Sequence, residues 1–270
     1  LRLGKVLCRT LADSSGPSYL LYLPVKNARQ DRPLVLVHGQ SRGAEVLVEV
    51  FRPFAEQYGA TLIAPVFDRV TSSGYQRLGL NSRQEGFSRP DVRFGRIIDD
   101  VKRLTDISID RIHLFGHSGG AQFAHRYVMA YPDTVKRYAI SAAGWYTLPD
   151  PSVDFPHGMK ATPRIPSFVP NIEKFLGVPV CVLVGEDDTV RNASLNTSKR
   201  LDRTQGRTRV ERAKNWVTAI GVAARERGLE PRAQLHILPE AGHSISELAM
   251  RGRLGDIVSR FLFDGAGPSG

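Results

Sequence analysis

Arg111-Ile112-His113-Leu114-Phe115-Gly116-His117-Ser118-Gly119-Gly120 joins a short apolar run to a serine set among glycines. The run from Arg111 to Phe115 reads as a strand, because a strand covered on both faces is apolar without alternation. The stretch from Gln122 to Tyr131 reads as a helix. A serine at such a strand-to-helix junction occupies a sharp, strained turn that lifts its hydroxyl above the sheet edge. Small neighbours are needed there so that the backbone can pass closely. The next N–H, that of Gly119, then opens a helix, where partial positive charge collects. Ser118 is the candidate nucleophile.

Working outward, strand-like and helix-like segments alternate. Tyr19 to Leu23, Pro33 to Val37, Thr61 to Val66, Val135 to Ala142, Val178 to Val184 and Gln234 to Leu238 read as strands. Ala44 to Tyr58 has helical spacing and stops at Gly59. Asp91 reads as the N-cap of a helix carrying Val92, Ile97, Ile98, Val101 and Leu104. Val210 to Arg227 presents Val210, Ala213, Val217, Ile220 and Ala224 to the core, and one closing helix covers Ile245 to Phe263. This alternation predicts the α/β class, a mostly parallel central sheet flanked by helices. The expected organisation is a single domain over residues 1–270. Trp145 to Gly177 breaks the rhythm with Pro149, Pro151, Pro156, Pro163, Pro166 and Pro170. This proline-rich stretch is expected to be a lid-like insertion, a plain surface excursion being the alternative. The tail from Gly265 to Gly270 is expected to be disordered.

Composition narrows the function classes. The 270 residues are 41% hydrophobic and 24% charged, ordinary for a globular protein. A formal net charge of +10 raises the question of nucleic acid. The arginines are scattered among acids without aromatic interleaving, so no nucleic-acid partner is expected. The densest basic stretch, Lys199-Arg200, Arg203, Arg207, Arg209 and Arg212, reads as a solvated face. No apolar run approaches the roughly 20 residues of a membrane helix, so no membrane span is expected. Leu1 to Asp13 lacks the apolar stretch of a signal peptide, which makes a cytoplasmic location the expectation; a removed signal would leave no trace. The two cysteines, Cys8 and Cys181, are not spaced for metal, and Cys181 reads as a small core hydrophobe.

A serine hydroxyl needs a base, and histidine titrates nearest neutrality. Of the seven histidines, His113 and His236 fall within strands, His117 within the serine turn and His125 on the following helix. His38 opens an early loop and His157 lies in the insertion. His243 alone follows the last strand, flanked by Gly242 and Ser244, at the edge where ligands of open α/β sheets bind. It is the candidate base. Asp187 and Asp188 follow the Val178 to Val184 strand, between serine and histidine in the chain. Asp188 is favoured as the acid that orients the imidazole, Asp187 is next and Glu186 third. The loop His38-Gly39-Gln40-Ser41 is placed to supply a second backbone donor beside that of Gly119; Gln40 is favoured and Ser41 is next.

Leu36-Val37-His38-Gly39-Gln40, Gly116-His117-Ser118-Gly119-Gly120, Gly185-Glu186-Asp187-Asp188 and Gly242-His243-Ser244 together resemble the α/β-hydrolase superfamily over roughly Pro33 to Phe263. Within it the pattern is similar to bacterial esterases, among them relatives of polyhydroxyalkanoate depolymerases and feruloyl esterases. The resemblance implies a serine hydrolase that cleaves a small-molecule or polymeric ester through an acyl-serine, with no metal or organic cofactor. Ser118, Asp188 and His243 would form the triad, and the Gln40 and Gly119 N–H groups the oxyanion hole. Trp145 and Tyr146 would shape the substrate pocket. A thioesterase, amidase or peptidase would use the same triad. A hydrolase-like module that binds a small molecule with little turnover is the alternative from another class.

Overall fold

The computed structural model describes residues 2–264 apart from 13, 15, 17, 26–31, 81–87, 166 and 167. The tail from Gly265 to Gly270, and Pro166 within the insertion, lie outside the described residues. Among those described, eight strands form one sheet: β1 (Val6–Arg9), β2 (Tyr19–Tyr22), β3 (Pro33–Val37), β4 (Thr61–Pro65), β5 (Ile112–His117), β6 (Val135–Ser141), β7 (Val180–Gly185) and β8 (Ala233–Leu238). Their order is β1-β2-β4-β3-β5-β6-β7-β8. β2 runs antiparallel to both β1 and β4, and every other neighbouring pair is parallel.

Parallel neighbours need crossovers, and helices supply them. They are α1 (Ala44–Tyr58), α2 (Pro90–Thr105), α3 (Gly119–Ala130), α4 (Ile172–Gly177), α5 (Lys199–Thr204), α6 (Arg209–Arg225), α7 (Ile245–Met250) and α8 (Leu254–Phe263). One apolar layer gathers Leu47, Phe51, Leu248, Val258 and Phe261 from α1, α7 and α8 against Leu36, Phe115 and Leu183 of the sheet. The other gathers Phe94, Phe123, Phe175 and Trp216 from α2, α3, α4 and α6 against Val35, Leu114 and Val182. Sheet residues alternate between the two layers, as a period of two requires. This is the doubly covered, mostly parallel sheet expected from the alternating segments.

Several local readings differ. Asp91 is not the cap of α2: Pro90 is already helical, Arg89 holds the cap position, and the buried Asp91 carboxylate pairs with Arg89 at 2.7 Å and accepts from the Tyr131 hydroxyl. Proline suits the first helical turn because its missing N–H would be unsatisfied there anyway. The closing helix is two helices, because Arg253 adopts φ 52° and interrupts the run between α7 and α8. On α6, Trp216 and Ala223 are buried, whereas Val210 and Val217 are only half-buried. Cys181 is a free thiol in the core, where burial pushes it up to about 12. No described helix is long and apolar enough to cross a membrane.

Four buried histidines are held neutral by this packing. His38 donates from Nδ1 to the Gly39 carbonyl and accepts the Phe67 N–H at Nε2. His125 donates to the Ala121 carbonyl and accepts the Thr147 N–H. Burial pulls His38 and His113 down to about 4 and His117 to about 3, and it places His125 well below its ordinary value. The unfolded chain takes up these protons from about pH 6.5 downward and the folded chain does not, so stability falls with pH. Each group costs up to about 1.4 kcal/mol per pH unit in that window. The melting temperature is therefore expected to drop steeply between pH 6.5 and 4.5, followed by calorimetry. A flat profile would show that these histidines are accommodated in their charged form.

Candidate active site

Strand order reverses between β3 and β5: the chain leaves β3 for β4 on one side and returns to β5 on the other. Open α/β sheets bind ligands at such a switch, outside the carboxyl ends of the strands. Here β3 ends at Val37 and leads into His38-Gly39-Gln40, and β5 ends at His117 and leads into Ser118. β7 delivers Asp188, β8 delivers His243, and β6 leads towards Trp145.

The turn at Ser118 is forced by close approach. A Cβ on Gly120 would stand 1.9 Å from the Val37 carbonyl oxygen, and one on Gly116 would stand 2.3 Å from the Gly120 carbonyl oxygen. Both contacts are with backbone, which cannot yield as a side-chain tip could. Ser118 is bent to φ 53° and ψ −109°, a left-handed region that a serine enters only under constraint. Its N–H donates to the Ser141 carbonyl at 2.8 Å, tying the turn to β6.

Ser118 Oγ lies 3.1 Å from His243 Nε2, and His243 Nδ1 lies 2.8 Å from Asp188 Oδ2. A carboxylate only accepts, so Nδ1 carries the proton and Nε2 is left to accept from the serine hydroxyl. Asp188 is 3% exposed, whereas its neighbours Glu186 and Asp187 face solvent. Two oxygens of one buried carboxylate are used differently: Oδ2 faces His243, and Oδ1 accepts from Arg209 Nη1 at 3.0 Å. Arg209 also donates to Ser194 Oγ at 2.8 Å.

Arg209 and Arg212 overturn the reading of their basic stretch as a solvated face. They are 1% and 0% exposed, and Arg212 pairs with Asp202 at 3.0 Å. Charge density along a sequence cannot tell an arginine facing water from one turned inward toward a carboxylate far away in the chain. The spacing of Arg209 with the apolar positions Ala213, Trp216 and Ile220 was the available signal, since i+4, i+7 and i+11 share a helix face.

Beside Ser118, Gln40 and Gly119 come together. Gln40 Cγ is 3.3 Å from where a Cβ on Gly119 would stand, with the Tyr75 hydroxyl at 2.6 Å and Gln76 Nε2 at 3.0 Å. That hydroxyl donates to the His38 carbonyl at 2.9 Å, so Tyr75 and the neutral His38 ring brace the loop after β3. His117 packs 5.3 Å from the His243 ring and shares a hydrogen bond with Ser141 Oγ.

A cavity of about 260 Å³ opens here, lined by Gln40, Gln76, Arg77, Gln122, Gly144, Trp145 and residues 193–196. Trp145 forms part of its wall. Tyr146 does not: it turns inward, stacks on Trp216 at 4.9 Å, and exchanges both its backbone groups with the Gln205 carboxamide. Gln76, Gln122 and the 193–196 loop had no signal in the sequence.

A family model described as alpha/beta hydrolase fold matches residues 32–180, more than half of the chain. The abhydrolase domain-containing protein abhd-5.2 of Caenorhabditis elegans is 25% identical over 154 residues, 57% of this chain and 32% of that protein. The chain thus spans about a third of the length of that curated relative. Among solved structures it is similar to poly(aspartic acid) hydrolase-1 from Sphingomonas sp. KT-1, with TM-score 0.79 and 22% identity over 97% of this chain and 99% of that one. It is also similar to LpqC, a poly(3-hydroxybutyrate) depolymerase from Bordetella parapertussis, with TM-score 0.78 and 24% identity over 99% and 93%. A ferulic acid esterase aligns at TM-score 0.60 and 17% identity over 97% and 98%. At these identities the likeness is one of fold. With the switch-point geometry and the match over residues 32–180, the chain belongs to the alpha/beta hydrolase fold family.

Proposed function

We propose that the protein is a serine hydrolase that cleaves carboxylic esters. The observation that carries this reading is the unbroken chain from Ser118 Oγ through His243 to Asp188, at 3.1 and 2.8 Å. A serine alone is a weak nucleophile, and a base within hydrogen-bond reach whose far nitrogen is held by a carboxylate is the arrangement that activates it. The esterase and depolymerase names of the similar structures favour an ester as the bond cut.

In this reading His243 Nε2 takes the proton as Ser118 Oγ attacks the ester carbonyl. The N–H of Gly119, at the start of α3, and that of Gln40 stabilise the oxyanion. Collapse of the tetrahedral intermediate expels the alcohol, which takes the proton from His243. A water then gives its proton to His243, attacks the acyl-serine, and releases the acid as the proton returns to Ser118. Asp188 keeps its hydrogen bond to Nδ1 throughout and fixes the tautomer. Trp145 forms one wall of the substrate site, within a single domain. The name of the Sphingomonas hydrolase makes a polymer amide the second reading of the bond.

Ser118→Ala is expected to abolish labelling by a fluorophosphonate probe and to lower ester turnover by roughly 10⁴-fold or more. Retained labelling would remove Ser118 from the nucleophile's place. Asp188→Asn is expected to lower kcat by about 10³–10⁴-fold, since the wrong histidine tautomer would then be stabilised. Asp187→Asn should stay within about twofold, as expected for an exposed group away from His243. Steady-state kinetics on p-nitrophenyl butyrate decides between them, and the opposite order would move the acid to Asp187.

A further inference from the structure

Arg126 is the odd one among the buried arginines. Arg209 and Arg212 each meet a carboxylate, at 3.0 Å in both cases. Arg126, on α3 and 0% exposed, meets none among the described residues: Nε donates to Thr147 Oγ1 at 2.9 Å, and Nη1 donates to the Gln76 carbonyl at 2.6 Å and to Gln122 Oε1 at 3.4 Å. Nη2 is buried with no hydrogen-bond partner among the described residues. Enclosing a full positive charge against neutral dipoles is costly. A crosslink between α3 and its neighbours explains the three bonds, but neutral donors would serve that purpose as well. It explains neither the charge nor the orphaned nitrogen.

The guanidinium lies directly behind the cavity beside Ser118. It sits 4.1 Å from the Trp145 ring, and Gln76, Gln122 and Trp145 are all cavity wall. A guanidinium only donates, so it draws the Gln122 oxygen toward itself. The Gln122 Nε2 donor is left on the side of Gly144, 3.3 Å from where a Cβ on that glycine would stand, and Gly144 is also wall. Gln76 Nε2 stands beside Gly119 in the same way. Arg77 lines the cavity, and among the described residues of its wall none is an aspartate or glutamate. His157 packs 5.1 Å from the ring of Trp145, on the same wall residue that Arg126 faces. Donors and cations converge on one space of about 260 Å³.

We propose that this cavity is an anion subsite, and that the ester cut at Ser118 carries a carboxylate beyond its scissile bond. The carboxylate sits within reach of Gln122 and Arg77, in the field of Arg126. This rests on the ester-hydrolase reading, and the experiment separates the two.

Two substrate pairs place the charge on either side of the bond: mono-p-nitrophenyl glutarate against p-nitrophenyl methyl glutarate, and 4-acetoxybenzoate against its methyl ester. In at least one pair kcat/KM is expected to favour the charged member by about tenfold or more at low salt, and to fall toward parity in 0.5 M KCl. The ratio should collapse in Arg126→Met and in Arg77→Gln. Arg77→Gln decides the matter if the buried variant does not fold. Preference for the neutral member in both pairs overturns the proposal, as does a ratio untouched by Arg77→Gln. Calorimetric binding of glutarate against dimethyl glutarate reads the subsite without turnover. Glutarate binding without hydrolysis of any ester would sink the ester reading alone, and hydrolysis of p-nitrophenyl butyrate with no preference for glutarate would sink the subsite alone.

Discussion

Between Gly120 and the carbonyl of Val37 there is no room for a methyl group: a Cβ would lie 1.9 Å from that oxygen. The start of α3 is thereby pressed onto the end of β3, and the strained φ of Ser118 follows from it. A second close approach repeats the device across the sheet, where a Cβ on Gly185 would stand 2.1 Å from the Ala241 carbonyl. That contact brings the loop after β8 onto the end of β7, and so His243 onto Asp188. Glycine at these positions serves closeness more than flexibility, since neither Gly116, Gly120 nor Gly185 has a positive φ.

Much of the fold was legible because its rules are local. Short apolar strands, helical spacing and a serine among glycines are each readable within a window of a dozen residues. Pro33 to Val37 and Ala44 to Tyr58 carry the same bounds in sequence and structure. The order Ser118, Asp188, His243 was readable too, since each follows its own strand. What escaped depends on the far side of a contact. β1 is a half-exposed edge strand with no apolar run of its own, paired to β2. Whether Arg209 meets water or Asp188 depends on how α6 rolls against β7 and β8. The choice between Asp187 and Asp188 is likewise one of burial, which adjacent acids in a turn do not announce.

The segment after β6 shows the same limit. Trp145 and Tyr146 were expected to meet substrate, yet Tyr146, with Phe155, Met159 and Phe168 of the same segment, belongs to the main apolar core. Trp145 alone among those aromatics is cavity wall. Prolines made the segment irregular without making it peripheral, because a chain lacking ladder hydrogen bonds can still bury large side chains. The Trp216 indole N–H donating to the Thr147 carbonyl, and Gln205 holding both backbone groups of Tyr146, satisfy polar atoms that an irregular buried chain would otherwise leave exposed to cost.

Arg209 joins these themes, because it touches both the acid and the cavity. With Oδ1 of Asp188 engaged, Oδ2 is the oxygen free to face His243, so the imidazole is oriented by a carboxylate that is itself oriented. The other end of the same guanidinium holds Ser194, in the loop that lines the cavity. A displacement of residues 193–196 would therefore act on Asp188 through one rigid, planar group rather than through a flexible chain. Arg126 performs the corresponding task on the opposite wall, fixing Gln122 and Trp145 from behind. One arginine is neutralised by the acid it positions, and the other faces no acid among its bonded partners. The charge that remains is on the cavity's side, and it is the feature by which this site would select among substrates that the shared fold leaves undistinguished.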